Sequence, residues 1–510
     1  MNGLTNDYEN GKSVGQTMAM SRDDAEDRLH QWFGFDGFKA GQWEIIQPVL
    51  NGESVISIQR TGFGKSICFQ FPALCFKGLT LVYSPLIALM RQQTDWLRMR
   101  GIRAACINSQ QTAAQNKRIL ESALRSQIKI LYIAPERLLT RMWQDYLPRL
   151  PLSFIVIDEA HCISMWSHDF RSAYRHLIPL SLGQPESPPI LAMTATATPD
   201  VIIDIQRHLP INTRIIRGTI RRDNLWLNVI KVSADHEKTD QIIRMVDGIP
   251  GHGLVYAMTR TNSEQIADRM NRHGISAAAY HAGLAPERRS QVENGFYENQ
   301  WKCVVTTCAL GMGVDKPDIR FIFHTHCPGN LTEYFQEIGR AGRDGMDALI
   351  YLFYHPTDRH LQERFIQHYR PEWPVYQRVY HHLIQNGGFW IDQEADINRK
   401  PEPISMICHD LADQGILEMK IEPQGIRWEI SGDLSSFDYT LADRIRHHKF
   451  DQLIKMIQYI NTDGCRMNFI SRYLGEDHSQ GCGKCDNDTR SGKRFSRFQL
   501  WKNKIKIKLF

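Results

Sequence analysis

The chain lacks any apolar run long enough to cross a bilayer, so no membrane-spanning helix is expected. Its start also lacks the apolar segment of a secretory signal and carries Asn6, Asp7, Glu9 and Lys12 instead. The expected compartment is therefore the cytoplasm or nucleoid of a bacterium, or the nucleus of a eukaryote. Clustered cysteine is scarce. Of eleven cysteines, eight (Cys68, Cys75, Cys106, Cys162, Cys303, Cys308, Cys327 and Cys408) stand singly, as buried thiols of a reducing compartment do. A strong excess of one charge is missing too. With 61 basic and 56 acidic residues, the net charge of +5 permits a nucleic-acid partner without demanding one. Only residues 491–510 are one-sided: Lys493, Arg494, Arg497, Lys502, Lys504, Lys506 and Lys508 interleave with aromatics and no acid, a basic tail suited to a phosphate backbone or to solvation. Residues 1–20 are polar and aperiodic and are expected to be disordered. At 510 residues the chain is too long for one core, and two to four domains are expected.

What is present begins with Phe154 to Ile157, an uncharged β-branched run of the kind buried on both faces of a parallel sheet. Asp158 and Glu159 follow at its carboxyl end, where open α/β sheets bind ligands. Such a pair suits metal-assisted nucleotide hydrolysis: Asp158 holds the water shell of Mg²⁺, and Glu159 orients or deprotonates the attacking water. An isolated acidic pair after a strand could equally cap a helix. The tie is broken upstream by Thr61-Gly62-Phe63-Gly64-Lys65-Ser66, which lies between an apolar alternation (Val55, Ile56, Ile58) and a helix-like run from Ile67 to Leu74. Glycines let backbone N–H groups turn onto phosphates, Lys65 charges the β- and γ-phosphates, and Ser66 reaches Mg²⁺. Together these stretches point to an ATP site.

Asp-Glu-Ala-His (158–161) followed by Cys-Ile-Ser-Met-Trp-Ser-His-Asp-Phe-Arg (162–171) resembles the RecQ family of DNA helicases in helicase superfamily 2, and the likeness runs from about Phe33 to Asp488. The resemblance implies an α/β fold: two tandem RecA-like parallel-sheet lobes, then a small winged-helix-like segment and a helical zinc-binding module. It implies an ATP-dependent 3′→5′ helicase of DNA repair or recombination, working on single-stranded and duplex or forked DNA as a monomer or weak oligomer, with ATP, Mg²⁺ and Zn²⁺. The alternatives are a DNA-stimulated translocase that unwinds poorly and, in another class, a non-catalytic DNA-binding scaffold.

The resemblance also assigns residues. Phe35, Lys39 and Gln42 would hold the adenine, with Phe35 and Lys39 standing where the family usually has Tyr and Arg. Ser84 would lie on a DNA-facing strand-end loop, and His161, Thr194 and Thr196 would couple hydrolysis to lobe movement. Trp166, His168, Phe170 and Arg171 form an aromatic, charged loop that could report bound single strand, or simply anchor to the core. Met165, Ser167 and Ser172 depart there from the family's Gln, Gly and Pro. In the second lobe Gln336, Arg340 and Arg343 would reach across to the γ-phosphate, and Gly311 to Pro317 fits the family's coupling segment. Cys465, Cys482, Cys485 and position 488 reproduce the zinc spacing, but position 488 is Asp, so the alternatives are a site with Asp488, Asp486 or His478 as fourth ligand and a site without zinc.

The expected domains are 1–20 (disordered), 21–210 (first lobe), 211–355 (second lobe), 356–440 (winged-helix-like), 441–490 (zinc module) and 491–510 (tail). The 356–440 segment is expected because Val375, Val379 and Leu383, then Ile404, Ile407, Cys408 and Leu411, repeat at helical spacing before a hairpin around Glu422-Pro423-Gln424-Gly425. In the family such a segment more usually follows the zinc module.

Overall fold

The computed structural model describes residues 20–164, 174, 187–210, 212–310, 316–369, 371–385, 389–391, 404–422 and 425–490. The expectations for residues 1–19, for the loop bearing Trp166, His168, Phe170 and Arg171, for 311–315 and for the basic tail lie outside the described residues.

Seven strands form the first sheet: β1 (Val55–Ile58), β2 (Leu79–Tyr83), β3 (Ala104–Ile107), β4 (Ile130–Ile133), β5 (Leu152–Ile157), β6 (Ile190–Thr194) and β7 (Arg214–Arg217). Their order is β3-β4-β2-β5-β6-β1-β7, and every pairing is parallel. Side chains alternate between two apolar cores. Val55, Val82, Phe154 and Val156 pack on one face, while Ile56, Ile58, Leu81, Tyr83, Ile155 and Ile157 pack on the other. Both faces being covered explains why these strands read as continuous apolar runs. The strand β7 lies beyond residue 210, the expected end of the lobe. Its sequence, Arg-Ile-Ile-Arg, is exposed to half-buried at the sheet edge, so it carries no core-strand signature.

The second sheet comprises β8 (Leu225–Lys231), β9 (His252–Tyr256), β10 (Ala277–Tyr280), β11 (Cys303–Thr306), β12 (Ile319–His324) and β13 (Ala348–Tyr354). Its order is β10-β11-β9-β12-β13-β8, and the pairs from β10 through β13 are parallel. These are the two RecA-like lobes. After them, helices Arg466–Tyr473 and Asp486–Arg490 frame the cysteine cluster, and this module is joined to the second sheet by a parallel bridge between Leu227 and Cys485.

A separate compact unit contains Cys327–Leu331 and Tyr354–Asn461. Helices Trp373–Gln385 and Ile404–Asp413 pack on a small antiparallel sheet of β14 (Phe389–Ile391), β15 (Leu417–Glu422) and β16 (Gly425–Ile430), ordered β14-β16-β15. This is the winged-helix-like segment. Its third strand, β14, is only three residues long and had no readable pattern. The 22-residue helix Thr440–Asn461 falls within this compact unit.

Strands β9 and β12 approach closely because Gly253 has no side chain: a Cβ there would lie 2.2 Å from the Phe321 ring. Gly253→Ala is expected to lower stability by about 1–3 kcal/mol through overpacking. Thermal unfolding checks this, and an unchanged midpoint would mean that the Phe321 ring moves aside freely.

Candidate active site

Because β2, β5, β6 and β1 are consecutive neighbours in a parallel sheet, their carboxyl ends bring four loops into one row. Ser84 follows β2, Asp158 and Glu159 follow β5, Thr194 ends β6, and the glycine loop follows β1. The ladder continues past the strand ends: Asp158 N–H donates to Tyr83 O at 2.9 Å, and Gln59 N–H to Thr194 O at 3.0 Å. Lys65 opens the next helix, Lys65–Cys75, with Gly64 as its N-cap at φ +86°. That conformation turns the helix's free N–H groups toward the cleft.

Glu159 is one of three non-glycine residues with positive φ among the described residues, at +49°. Backbone strain of this kind persists where surrounding structure holds it. Here Glu159 N–H donates to Asp158 Oδ1 at 3.0 Å, and the Tyr174 hydroxyl donates to Asp158 O at 3.1 Å. Lys65 Nζ stands 4.0 Å from Glu159 Oε1. Ser84 Oγ donates to Asp158 Oδ2 at 3.3 Å. Burial, then the Glu159 charge, pushes Asp158 up to about 6 while Lys65 opposes the shift. Two carboxylates side by side in a low-dielectric cleft favour a cation between them.

Behind this pair, buried His161 places Nδ1 3.0 Å from Thr194 Oγ1 and 3.3 Å from Glu159 Oε2. Thr194 Oγ1 accepts from Thr196 N–H at 3.2 Å, and Thr196 Oγ1 accepts from Gln336 Nε2, on the second lobe, at 2.6 Å. A continuous polar chain thus runs from Glu159 to Gln336. Ser84, His161, Thr194 and Thr196 are all buried. The Ser84 side chain faces Asp158, not solvent, because its strand abuts β5.

The cleft, of about 200 Å³, is lined by Thr61, Gly62, Gly64, Lys65, Ser66 and Glu159 from the first lobe and Gln336, Arg340 and Arg343 from the second. Gln336 sits on helix Leu331–Ile338, and both arginines lie in the turn beyond its end. Of the remaining sequence candidates, Phe35 is exposed and stacks with Phe33 and Trp96 at centroid distances of 6.5 Å. Gln42 is buried, accepting from Lys39 N–H at 2.9 Å and donating to Gly64 O at 3.0 Å. Its amide therefore ties Lys39 to the glycine loop. The Phe63 ring lies against Gly41, where a Cβ would be 3.2 Å away.

Two features had no sequence signal strong enough to find. Thr61 Oγ1 donates to Gly339 O of the second lobe at 2.9 Å. His324 Nε2 lies 2.8 Å from Glu337 Oε2, fully buried, with its ring stacked on Tyr256.

In the zinc-type cluster, one ligand atom each from Cys465, Cys482, Cys485 and Asp488 lies within 4.8 Å of the others. Backbone N–H groups point at the sulfurs: Cys482 N to Cys465 Sγ at 3.1 Å, Lys484 N to Cys482 Sγ at 3.4 Å and Asp488 N to Cys485 Sγ at 3.4 Å. Such donors stabilise thiolates, and the donor set suits a tetrahedral soft-borderline cation. Asp486 is engaged elsewhere, in a buried ion pair with Arg466 and with Val229 N–H at 3.2 Å. His478 Nε2 is 3.1 Å from Glu476 Oε1.

A phosphate-type loop and a carboxylate pair on one RecA-like lobe, completed by arginines from a second, define a two-lobe nucleotide site of the helicase type. The DEAD/DEAH box helicase family matches residues 39–205, the helicase conserved C-terminal domain 237–345, and the RecQ zinc-binding family 430–489. The chain is 33% identical over 494 residues to the ATP-dependent DNA helicase RecQ of Synechocystis, covering 91% of this chain and 98% of that one. It is 33% identical to RecQ of Bacillus subtilis, covering 93% and 68%, and 40% identical to RecQ of Haemophilus influenzae, covering 71% and 58%. The chain thus spans little more than half the length of the Haemophilus relative. In fold it is similar to the DUF1998 helicase MrfA bound to DNA and AMPPNP, with a TM-score of 0.56 at 20% identity over 83% of this chain and 63% of that one. The chain belongs to the RecQ family. Among its described residues no helix is long and apolar enough to cross a membrane.

Burial pushes the Glu337 carboxyl up to about 8 from its ordinary 4.5, and pushes His324 down to about 3. An acid raised on folding contributes stability that is complete below its unfolded value and lost as pH rises through about 8. His324 is neutral throughout that window. Between pH 5 and 8 the melting temperature should therefore fall more steeply with rising pH than in Glu337→Gln, whose amide still donates to His324. Parallel slopes would show that Glu337 is ionised in the folded protein.

Proposed function

We propose that the chain is an ATP-driven DNA helicase that moves 3′→5′ along single-stranded DNA and separates duplexes in repair or recombination. The observation that carries this reading is the single cleft lined by Lys65 and Glu159 from one lobe and by Gln336, Arg340 and Arg343 from the other. In it, glycine-loop N–H groups and Lys65 bind the β- and γ-phosphates. Ser66 and Asp158 would hold Mg²⁺, which when bound would neutralise charge on the phosphate oxygens. Glu159 orients the attacking water and takes its proton. Arg340 and Arg343 stabilise charge on the γ-phosphoryl group, so hydrolysis needs both lobes together. Phe35, Lys39 and Gln42 receive the adenine, with Gln42 exchanging its loop carbonyl for the base.

The chain Glu159–His161–Thr194–Thr196–Gln336 supports a coupling role for those residues. Trp166, His168, Phe170 and Arg171 serve as the single-strand sensor that starts it. The winged-helix-like segment grips duplex DNA. Cys465, Cys482, Cys485 and Asp488 hold one structural Zn²⁺, which fixes the module by ligation.

On duplexes carrying a 3′ or a 5′ single-stranded tail, with ATP and Mg²⁺, the 3′-tailed duplex should open selectively, and Lys65→Ala should lower the rate on the order of 10²-fold or more. DNA-stimulated turnover without opening would instead favour a translocase, and undiminished turnover in Lys65→Ala would remove the phosphate-loop assignment. For the metal, elemental analysis should find one zinc per chain. Chelator competition should show Asp488→Ala weakened by about 10–100-fold and Asp488→Cys tightened; equal affinities would exclude Asp488 as a ligand.

A further inference from the structure

Between β7 and β8 the chain crosses from one lobe to the other through Gly218 to Asn224. Arg222 in this crossing is only 5% exposed. Its Nη1 donates to Gly339 O at 3.3 Å, its Nη2 to Ala341 O and Gly342 O at 2.8 Å each, and its Nε to Asn224 Oδ1 at 3.2 Å. Among the described residues no carboxylate lies within ion-pair distance of it. A buried guanidinium is costly to desolvate, and burial, reinforced by Arg60 and Arg343 and opposed by Asp344, pushes Arg222 down to about 10. What this arrangement secures is a set of backbone carbonyls.

Those carbonyls belong to the turn that carries Arg340 and ends at Arg343. Asn224 adds bonds to Gly342 O at 2.7 Å and Met346 O at 2.8 Å. Gly342 has φ +55°, and a Cβ there would meet Asn224 Nδ2 at 2.4 Å. The turn is thus clasped too closely to admit a side chain. On its other side the crossing is held by the cysteine-bearing module: Glu476 accepts from the Thr219 hydroxyl at 2.7 Å and Ile220 N–H at 2.8 Å, and Arg221 donates to Gly481 O at 3.3 Å. Arg222 therefore projects from a backbone that is itself fixed.

We propose that Arg222 is a positioning residue: by spanning the carbonyls of Gly339, Ala341 and Gly342 it sets the turn from which Arg340 and Arg343 meet the γ-phosphate. It touches no nucleotide itself. The inference rests on the reading of this cleft as an ATP-hydrolysing site. Lysine keeps the charge, but its donors share one nitrogen and do not reproduce the span by which Nη1 and Nη2 bond separate carbonyls. Arginines misplaced by about 1 Å should cost on the order of 10²-fold in turnover, with little effect on nucleotide binding.

The test compares the parent chain with Arg222→Lys and Arg222→Met, measuring kcat and KM for ATP, affinity for ADP, trapping of ADP with aluminium fluoride, and melting temperature. The expected result for both variants is a kcat lowered by at least about tenfold, ADP affinity within about threefold of the parent, and loss of the aluminium fluoride trap. A merely structural role would lose ADP binding and the trap together. The proposal is overturned if Arg222→Lys keeps kcat within about tenfold, or if ADP binding falls in step with kcat. An inactive parent would instead overturn the reading of the cleft, and the inference with it.

Discussion

Two half-buried carboxylates on consecutive residues are the constraint around which this structure is arranged. Asp158 and Glu159 repel each other, and burial worsens the repulsion. They are tolerated because the order β2-β5-β6-β1 surrounds them with donors: Ser84 on one side, Lys65 on the other, and His161 behind. Glu159 accepts a left-handed backbone to reach this position. A site with so much uncompensated negative charge is prepared for a cation and for the phosphates that accompany it.

The two lobes meet at this site through few and polar contacts. Gln336 to Thr196, Thr61 to Gly339 and Arg60 to Arg221 O are single hydrogen bonds between side chains and backbone or hydroxyl groups. Each such bond contributes little net free energy, because water replaces it when the partners separate. The covalent crossing between them is held more firmly. Its residues bond to the arginine-bearing turn on one side and to the cysteine-bearing module on the other, and Asp486 anchors that module to β8 through Val229.

Much of the site could be read from the chain because its chemistry is local. A strand of four to six apolar residues followed at once by Asp-Glu, or by a glycine loop with Lys65 and Ser66, places its functional groups by covalent geometry alone. The same holds for the paired helices and hairpin of the winged-helix-like segment, whose periodicities sit within short windows. The edge strand β7, with arginine at both ends, and the three-residue β14 were not legible, because an edge or very short strand carries little core pattern.

Sequence alone pointed to the two lobes, to a glycine loop and a carboxylate pair of nucleotide-binding type, and to three clustered cysteines, since each is written in contiguous motifs. Tertiary structure decided the relationships among them. It turned Ser84 toward Asp158, linked Glu159 to Gln336 through His161 and two threonines, and selected Asp488 for the cysteine cluster by engaging Asp486 with Arg466. It also brought Arg222 onto carbonyls more than a hundred residues away. Distances of that kind depend on strand order and on the packing of one lobe against another, and no local window of residues contains them.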